Sequence, residues 1–259
     1  MRKNLEVIFL LDNFGDIELD SLEAKLNVLL LNYTPEPERT VAMAAKLCYN
    51  SSTIPELLEE ISKKEQAKFI QMLVASGHMS PIEHAVYTFG VEGISRACSH
   101  QLVRHRIASY SQQSQRYVNY KNLKFIVPPE IAKDEQRKKE FLTECLEDFR
   151  KYLKLVEEGY SEEDSRFVLP NATETKMIIT MNARELLHFY ELRTCERAQW
   201  EIRNMAKEML KLAYATAPNL FKDAGPNCLR GPCTEGKYKC KREIPEIKEE
   251  FEELKKQKD

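Results

Sequence analysis

Short apolar runs predict the strands of this chain. The segment 85–92 gives the strongest signal, because Tyr87, Phe89 and Val91 alternate with small or polar residues and would place one apolar face on a strand. Runs of a similar kind, each ended by a polar residue or a proline, predict further strands. These lie at 5–11, 27–32, 124–127 and 175–181.

Apolar residues at helical spacing predict helices between the strands. In the segment 132–158, Phe141, Cys145, Phe149 and Leu153 recur every four residues and form one stripe, which is typical of a packing face. Capping residues, glycines and prolines set the ends of the predicted helices. These helices cover 34–49, 62–76, 95–103, 132–158, 161–170, 182–193 and 195–215.

Composition narrows the class of protein. The chain has 259 residues, enough for one large domain or two small ones, and 42% of them are hydrophobic. A net charge of −2 opposes a nucleic-acid-binding protein, whose contact face usually brings an excess of basic residues. The longest apolar runs, at 7–11 and 28–31, are too short to span a bilayer, and no signal peptide is evident. The seven cysteines are scattered and odd in number, so we expect free thiols and a cytoplasmic protein.

The composition changes near Phe221. Glycines and prolines interrupt the following segment, and Cys228, Cys233 and Cys240 lie among them. Metal binding is one use for these thiols, but they include no CxxC pair, so no metal site is predicted. The end of the chain is rich in Lys and Glu, which predicts a solvated helix or a disordered tail. We therefore predict a domain at 1–220 and a C-terminal extension at 221–259.

Candidate chemistry concentrates in the segment 104–117, which reads RHRIASYSQQSQRY. It combines arginines with serines and glutamines, and it contains neither Lys nor Glu, which a solvated surface segment would normally include. Arginine guanidinium groups match phosphate or carboxylate, and Ser and Gln add neutral hydrogen bonds. The segment therefore favours a site for a polar, anionic ligand. The alternative is a basic loop that pairs with acidic residues elsewhere in the fold.

The spacing of this segment resembles the signature of the flavin-dependent thymidylate synthases, RHRxxSxxxxSxR. Residues 104–106, Ser109, Ser114 and Arg116 occupy its fixed positions. The similarity covers roughly residues 25–221 and includes GHMSPIEHAVYTF, SRFVLP, TMNARELLHFYELR and AQWEIR. The resemblance implies an α+β fold with a mixed or antiparallel sheet flanked by long helices. It also implies a homotetramer whose sites lie where subunits meet.

The resemblance implies a reaction as well, the reductive methylation of dUMP to dTMP. FAD would be the redox carrier, 5,10-methylenetetrahydrofolate the carbon donor and NADPH the reductant, with no nucleic acid or membrane as partner. The positions that match family dUMP contacts are Gln101, Leu102, Val103, Arg104, Gln112, Gln113, Ser114, Gln115, Arg116, Arg166 and Arg193. Arg193 matches the arginine that stabilises the ionised base and is the predicted catalytic residue. The alternative is that Arg193 pairs with Glu191 or Glu196 at the same helix end.

The same resemblance implies an FAD site. The positions that match flavin contacts are His78, Ser80, Arg104, His105, Arg106, Gln112, Asn182, Arg184 and His188. Gln112 stands where relatives often have Glu, and His188 where some relatives have Asn. Asn182 with Glu185 also forms a capping box at a helix start, where free N–H groups attract phosphate. The chain contains no GxGxxG, so it is not a Rossmann flavoprotein.

Two residues are candidate nucleophiles. Ser114 has no evident His–Asp partner, and we assign it to binding. Cys195 lies close to Arg193 in the sequence, and we expect it to pack rather than react. Because every matched site residue precedes Phe221, we also expect catalysis to survive the loss of residues 226–259.

Overall fold

The fold is taken from a computed structural model that describes residues 18–60, 63–116 and 124–256. The strands are β1 (Asn27–Tyr33), β2 (Val86–Ser95), β3 (Ala108–Gln112) and β4 (Glu174–Asn182). They form an antiparallel sheet in the order β1-β2-β4-β3, which confirms the α+β class. The strand predicted at 5–11 and the capping residue Ser62 lie outside the described residues.

Helices and short 3-10 turns connect the strands. The described α-helices are α1 (Pro37–Leu47), α2 (Ile54–Glu60), α3 (Lys63–Ser76), α4 (Arg96–Leu102), α5 (Pro129–Ala132), α6 (Glu135–Glu157), α7 (Glu162–Ser165), α8 (Ala183–Arg193), α9 (Trp200–Thr216) and α10 (Ile244–Lys256). None of them combines the length and the apolar character that crossing a bilayer would need.

The chain divides into two compact units. The first takes in the described parts of Met1–Asn27, Val91–Gln101 and Ser111–Met177. Its core is built around α6, whose Cys145, Phe149 and Leu153 are buried as the four-residue spacing predicts. Phe125 is fully buried in the same cluster.

The second unit takes in Val28–Gly90, Leu102–Tyr110 and the described part of Ile178–Asp259. Aromatic rings fill part of its core: the ring of Phe221 lies 5.4 Å from that of Tyr87 and 6.0 Å from that of Tyr190. These edge-to-face arrangements add a specific attraction to the area that the rings bury.

The C-terminal segment ends in a packed helix. The alternatives for the charged end were a solvated helix and a disordered tail; it forms a helix, α10, but one face of it is not solvated and buries Ile247 and Phe251. Glu250 of α10 pairs with Lys207 of α9. An amphipathic helix that buries apolar side chains is held by packing rather than by intrinsic propensity. The domain boundary near residue 220 stays a prediction.

Two helix starts differ from the prediction. α1 does not begin at Thr34, because the Thr34 hydroxyl accepts a hydrogen bond from the Val86 N–H at 2.9 Å instead of capping a helix. α9 begins at Trp200 rather than at Cys195, since the Gln199 side chain accepts hydrogen bonds from two backbone N–H groups and caps the helix there. A capping side chain fixes a helix start only if no other donor claims its oxygen.

Two segments differ in secondary structure from what the sequence pattern predicts. The run 124–127 is not a strand: Phe125 makes only isolated bridges, parallel with Glu23 and antiparallel with Thr173. β3, in contrast, lies within the polar segment 104–117 and carries no apolar alternation. Its pairing with β4 is decided by the sheet and not by a local pattern.

Candidate functional site

A large cavity, of about 1070 Å³, lies in the second unit. Asn182, Arg184 and His188, three of the predicted FAD contacts, line it. Asn182 is the N-cap of α8, and its Oδ1 accepts a hydrogen bond from the Glu185 N–H at 2.9 Å. The wall therefore includes a helix N-terminus, whose polarity favours an anionic ligand. The volume is that of a site for a large organic molecule.

A second cavity, of about 330 Å³, brings together His78, Ser80 and Arg184. Gly77 has a φ of 73°, a left-handed conformation that ends α3 and turns the chain towards His78. The Tyr49 hydroxyl lies 3.3 Å from Nδ1 of His78. Arg184 lines both cavities and donates to Glu83 at 2.6 Å. Five predicted FAD contacts are thus divided between two cavities that share Arg184.

A buried histidine connects a glutamate with the predicted catalytic arginine. Nδ1 of His105 lies 3.1 Å from Oε1 of Glu185, and the side chains are only 4% and 7% exposed. Arg193 is partly buried and donates its Nε–H to Nε2 of His105 at 3.0 Å. The ring of Phe189 lies 4.9 Å from the imidazole, edge to face. Arg193 is therefore held at a defined place at the end of α8.

Tyr110 fixes the backbone of the RHR segment. Its hydroxyl donates to the carbonyl oxygens of Leu102 and His105, each at 2.9 Å. Burial raises the pKa of Tyr110, so its hydroxyl is a stable donor at neutral pH. Within this anchored segment, Arg104 and Arg106 are exposed, on either side of buried His105. The segment therefore presents two guanidinium groups to solvent and keeps the imidazole inside.

In the first unit, two predicted dUMP contacts meet at one acidic residue. Arg116 forms an ion pair with Glu163 at 2.9 Å, and both side chains are about half exposed. Arg166 donates its Nε–H to the backbone carbonyl of Glu163 at 3.1 Å. The alternative interpretation of the segment 104–117 was a basic loop that pairs with acidic residues elsewhere in the fold, and the ion pair of Arg116 with Glu163 is such a pair. It also brings two guanidinium groups to one place, which favours the binding of a phosphate.

The polar residues before Arg116 are held to β4. Gln112 donates from its side chain to the Thr175 hydroxyl at 3.1 Å, and the Gln113 N–H donates to the carbonyl of residue 176 at 2.9 Å. The Ser114 hydroxyl accepts a hydrogen bond from the Arg116 N–H at 3.1 Å. Gln115 is buried. This part of the signature is thus ordered by the backbone and by neighbouring side chains.

The glutamates considered as partners for Arg193 have other partners. Glu191 pairs with Arg230 at 3.0 Å, and Glu196 pairs with Arg203 and Arg242. Arg230 and Glu191 also line the large cavity. The C-terminal segment thus contributes Arg230 to the cavity wall, and the expectation that residues 226–259 are dispensable stays a prediction.

Residues 29–219 match the sequence profile of a family described as thymidylate synthase complementing protein. A flavin-dependent thymidylate synthase of Geobacter sulfurreducens is 53% identical over 231 residues, which cover 88% of this chain and 99% of that protein. One of Clostridium tetani is 49% identical and covers 83% of this chain and 93% of its own length.

This chain belongs to the flavin-dependent thymidylate synthase family. A solved structure agrees with the assignment at the level of the fold. The UMP/dUMP methylase PolB of Streptomyces cacaoi, bound with 5-Br dUMP, has a TM-score of 0.68 and 25% identity. The match covers 77% of this chain and 94% of that one. The sequence resemblance is thereby confirmed, while the role of each residue stays a prediction.

Several residues of this family member escaped sequence reasoning. Glu185 was assigned to a capping box, yet its carboxylate pairs with His105. Glu163, Glu83 and Arg230 carried no signal, because charged residues are frequent in this chain and their partners are distant in sequence. Only a knowledge of the chain path could have selected them.

Four cysteines of the chain lie near one another in the second unit. Burial raises the pKa of the Cys195 thiol, and Cys233 and Cys240 raise it further. Cys228 is affected in the same way by these three thiols. In the described part of the chain, no group of three or more His, Cys, Asp or Glu side chains is arranged to hold a metal ion. The expectation that the protein needs no metal stays a prediction.

Proposed function

We propose that this protein methylates dUMP to dTMP in a flavin-dependent reaction. The observation that carries the proposal is the 53% identity over almost the whole length of the Geobacter sulfurreducens thymidylate synthase. Every position of the RHRxxSxxxxSxR signature is present in this chain. The described geometry supports the proposal, since it orders an arginine-rich segment next to an anchored, partly buried Arg193.

We further propose FAD as the flavin, with 5,10-methylenetetrahydrofolate and NADPH as co-substrates. FAD would supply the redox step. The two cavities around Arg184 offer polar contacts, and the helix dipole at the start of α8 would favour the negative charge of its diphosphate. Arg104 and Arg106, which are exposed on either side of His105, would add positive charge.

The dUMP phosphate would bind at Arg116 and Arg166. Arg116 is paired with Glu163. A phosphate carries more negative charge than a carboxylate and would compete with Glu163 for the same guanidinium. Arg193 would act on the base, where a fixed guanidinium stabilises negative charge as it develops. For the other predicted dUMP contacts, we propose the roles that the family match implies.

We expect Arg116→Ala to weaken dUMP binding by about 10- to 100-fold, because a charge-assisted hydrogen bond contributes roughly 1.5–3 kcal/mol. Arg137→Ala is the matched control. Arg137 is 48% exposed and pairs with Glu140, as Arg116 is 44% exposed and pairs with Glu163. Titration of dUMP by calorimetry measures both variants, and equal affinities would remove Arg116 from the site.

We expect Cys195→Ser to keep most of the dTMP formation. Its raised pKa keeps Cys195 protonated near neutral pH, and a protonated thiol is a poor nucleophile. Cys48→Ser, at an exposed cysteine, is the control. Loss of turnover in Cys195→Ser, with FAD and dUMP binding intact, would make Cys195 a candidate nucleophile.

The proposed function is tested on the purified protein. We expect it to be yellow and to bleach under anaerobic NADPH. Addition of dUMP and methylenetetrahydrofolate should then restore the oxidised flavin spectrum and yield dTMP. A protein that binds flavin and dUMP but makes no dTMP would be a nucleotide-binding regulator. A colourless protein that binds nucleic acid would be a nucleic-acid-binding module, a class that the net charge of −2 opposes.

The assembly and the location of the protein are further proposals. We propose a homotetramer with its sites at subunit interfaces, as the family resemblance implies. Sedimentation of the purified protein, together with activity on dilution, tests the assembly. A fully active monomer would contradict it. Free cysteines are the reason to propose a cytoplasmic protein.

A further inference from the structure

We propose that Glu185 is a positioning residue, which orients the guanidinium of Arg193 through the imidazole of His105. The proposal rests on the proposed function of Arg193, because positioning has a consequence only if Arg193 acts on the substrate. It adds Glu185, which neither the signature nor the family match selected. It also gives His105, which is a predicted FAD contact, a second role as the bridge between Glu185 and Arg193.

The hydrogen-bonding capacities of the three side chains determine the tautomer of His105. An arginine N–H can only donate, so Nε2 of His105 must accept from Arg193 and cannot carry a proton. The proton of the neutral ring is therefore on Nδ1. Nδ1–H donates to the Glu185 carboxylate, which can only accept when it is ionised. Glu185 thus selects the one tautomer that can receive the Arg193 hydrogen bond.

The surroundings keep this imidazole neutral. Burial is the largest influence that lowers the pKa of His105, and the charge of Arg193 lowers it further, while the hydrogen bond with Glu185 opposes them. His188 also faces the ring, 6.0 Å away, and acts in the same direction as Arg193. A protonated His105 would place a donor against the donor of Arg193 and break that contact.

Glu185, His105 and Arg193 form a relay in which Glu185 and His105 are buried and Arg193 is partly buried. Glu185 lies in the first turn of α8, whose start is fixed by the Asn182 cap, and Arg193 lies in the last turn of the same helix. His105 bridges the two from a segment that the Tyr110 hydroxyl ties down. His105 takes only the Nε–H of Arg193, one of the five N–H donors of the guanidinium.

The first experiment is a double-mutant cycle on the holoprotein. Glu185→Leu removes the acceptor. We expect single-turnover oxidation of reduced flavin at saturating dUMP and methylenetetrahydrofolate to slow by about 10- to 100-fold, the range seen when a residue that orients a metal ligand is removed. Glu185→Gln keeps an acceptor oxygen and should lose less. In an Arg193→Ala background, Glu185→Leu should cause no further slowing, because a residue that acts through Arg193 has nothing left to position.

Glu201→Leu is the matched control. Glu201 is also buried and in the first turn of a helix, α9, so it reports the cost of removing a buried glutamate. We expect it to keep the parent rate of flavin oxidation. Losses from Glu185→Leu and Arg193→Ala that simply multiply in the double variant would overturn the proposal.

The second experiment does not depend on activity. Solid-state 15N NMR of the histidine-labelled holoprotein, with the His105 signals assigned by comparison with His105→Gln, reports which ring nitrogen is protonated. We expect Nδ1–H near neutral pH in the parent and also in Glu185→Gln, whose amide oxygen still accepts, whereas Glu185→Leu, which offers no acceptor, should change the pattern. Protonation on Nε2 in the parent would overturn the relay. If the parent makes no dTMP, the proposed function fails, and this measurement still decides the geometry.

Discussion

Replacing Arg193 by alanine should slow flavin oxidation by dUMP and methylenetetrahydrofolate in a single turnover by about 100- to 1000-fold, the loss seen when one donor to a developing anion is removed. FAD occupancy should change little, because the predicted FAD contacts are other residues. An interaction that strengthens as charge develops lowers the rate of the chemical step and not only the affinity for dUMP. Saturating dUMP isolates that step.

Arg193→Lys should also slow the single-turnover oxidation of the flavin. The Nε–H of Arg193 is bound to His105, and a guanidinium can hold that contact while its other N–H groups meet the base. A lysine ammonium keeps the charge but cannot reproduce this planar arrangement of donors. Arg197→Ala, at an exposed arginine in the turn that follows α8, is the control. Flavin oxidation at the parent rate in Arg193→Ala would leave Arg193 as a structural or binding residue only.

Replacing Gly93 by alanine should lower the free energy of unfolding by about 2–5 kcal/mol, which combines left-handed backbone strain with a steric overlap. Gly93 lies in β2 with a φ of 71°, and a Cβ built there would collide with the carbonyl group of Lys25 and the nitrogen of Leu26. Backbone atoms cannot move aside as a flexible side chain would. Thermal denaturation followed by circular dichroism measures the loss as a lower Tm.

Gly77→Ala separates the two contributions to this loss. Gly77 has nearly the same φ, 73°, but a Cβ there would meet no heavy atom within 4 Å. We therefore expect Gly77→Ala to cost only the backbone strain, about 1–2 kcal/mol. Equal Tm values for the two variants would mean that the close approach of Lys25 to Gly93 is absent from the folded protein.

The sequence alone determined the features that depend on neighbours within one or two helical turns. The four-residue spacing along α6 predicted its buried stripe, since residues four apart share one face of a helix. Asn182 predicted the start of α8 and Gly77 the end of α3, because capping and left-handed conformations are local properties of the chain. The signature at 104–116 identified the family for a different reason, since its residues are chemically unusual together.

Only the tertiary structure decided which distant residues meet. His105 and Glu185 are 80 positions apart, so no local pattern could pair them, and the capping-box interpretation of Glu185 was incomplete for that reason. β3 was missed because its polar residues are held by the neighbouring strand and not by their own pattern. Arg230 belongs to the segment 221–259, which the sequence pattern predicted to be an extension, and yet it lines the large cavity. A charged side chain gains a specific partner only when the fold brings one within hydrogen-bonding distance, and the path of the chain determines that partner.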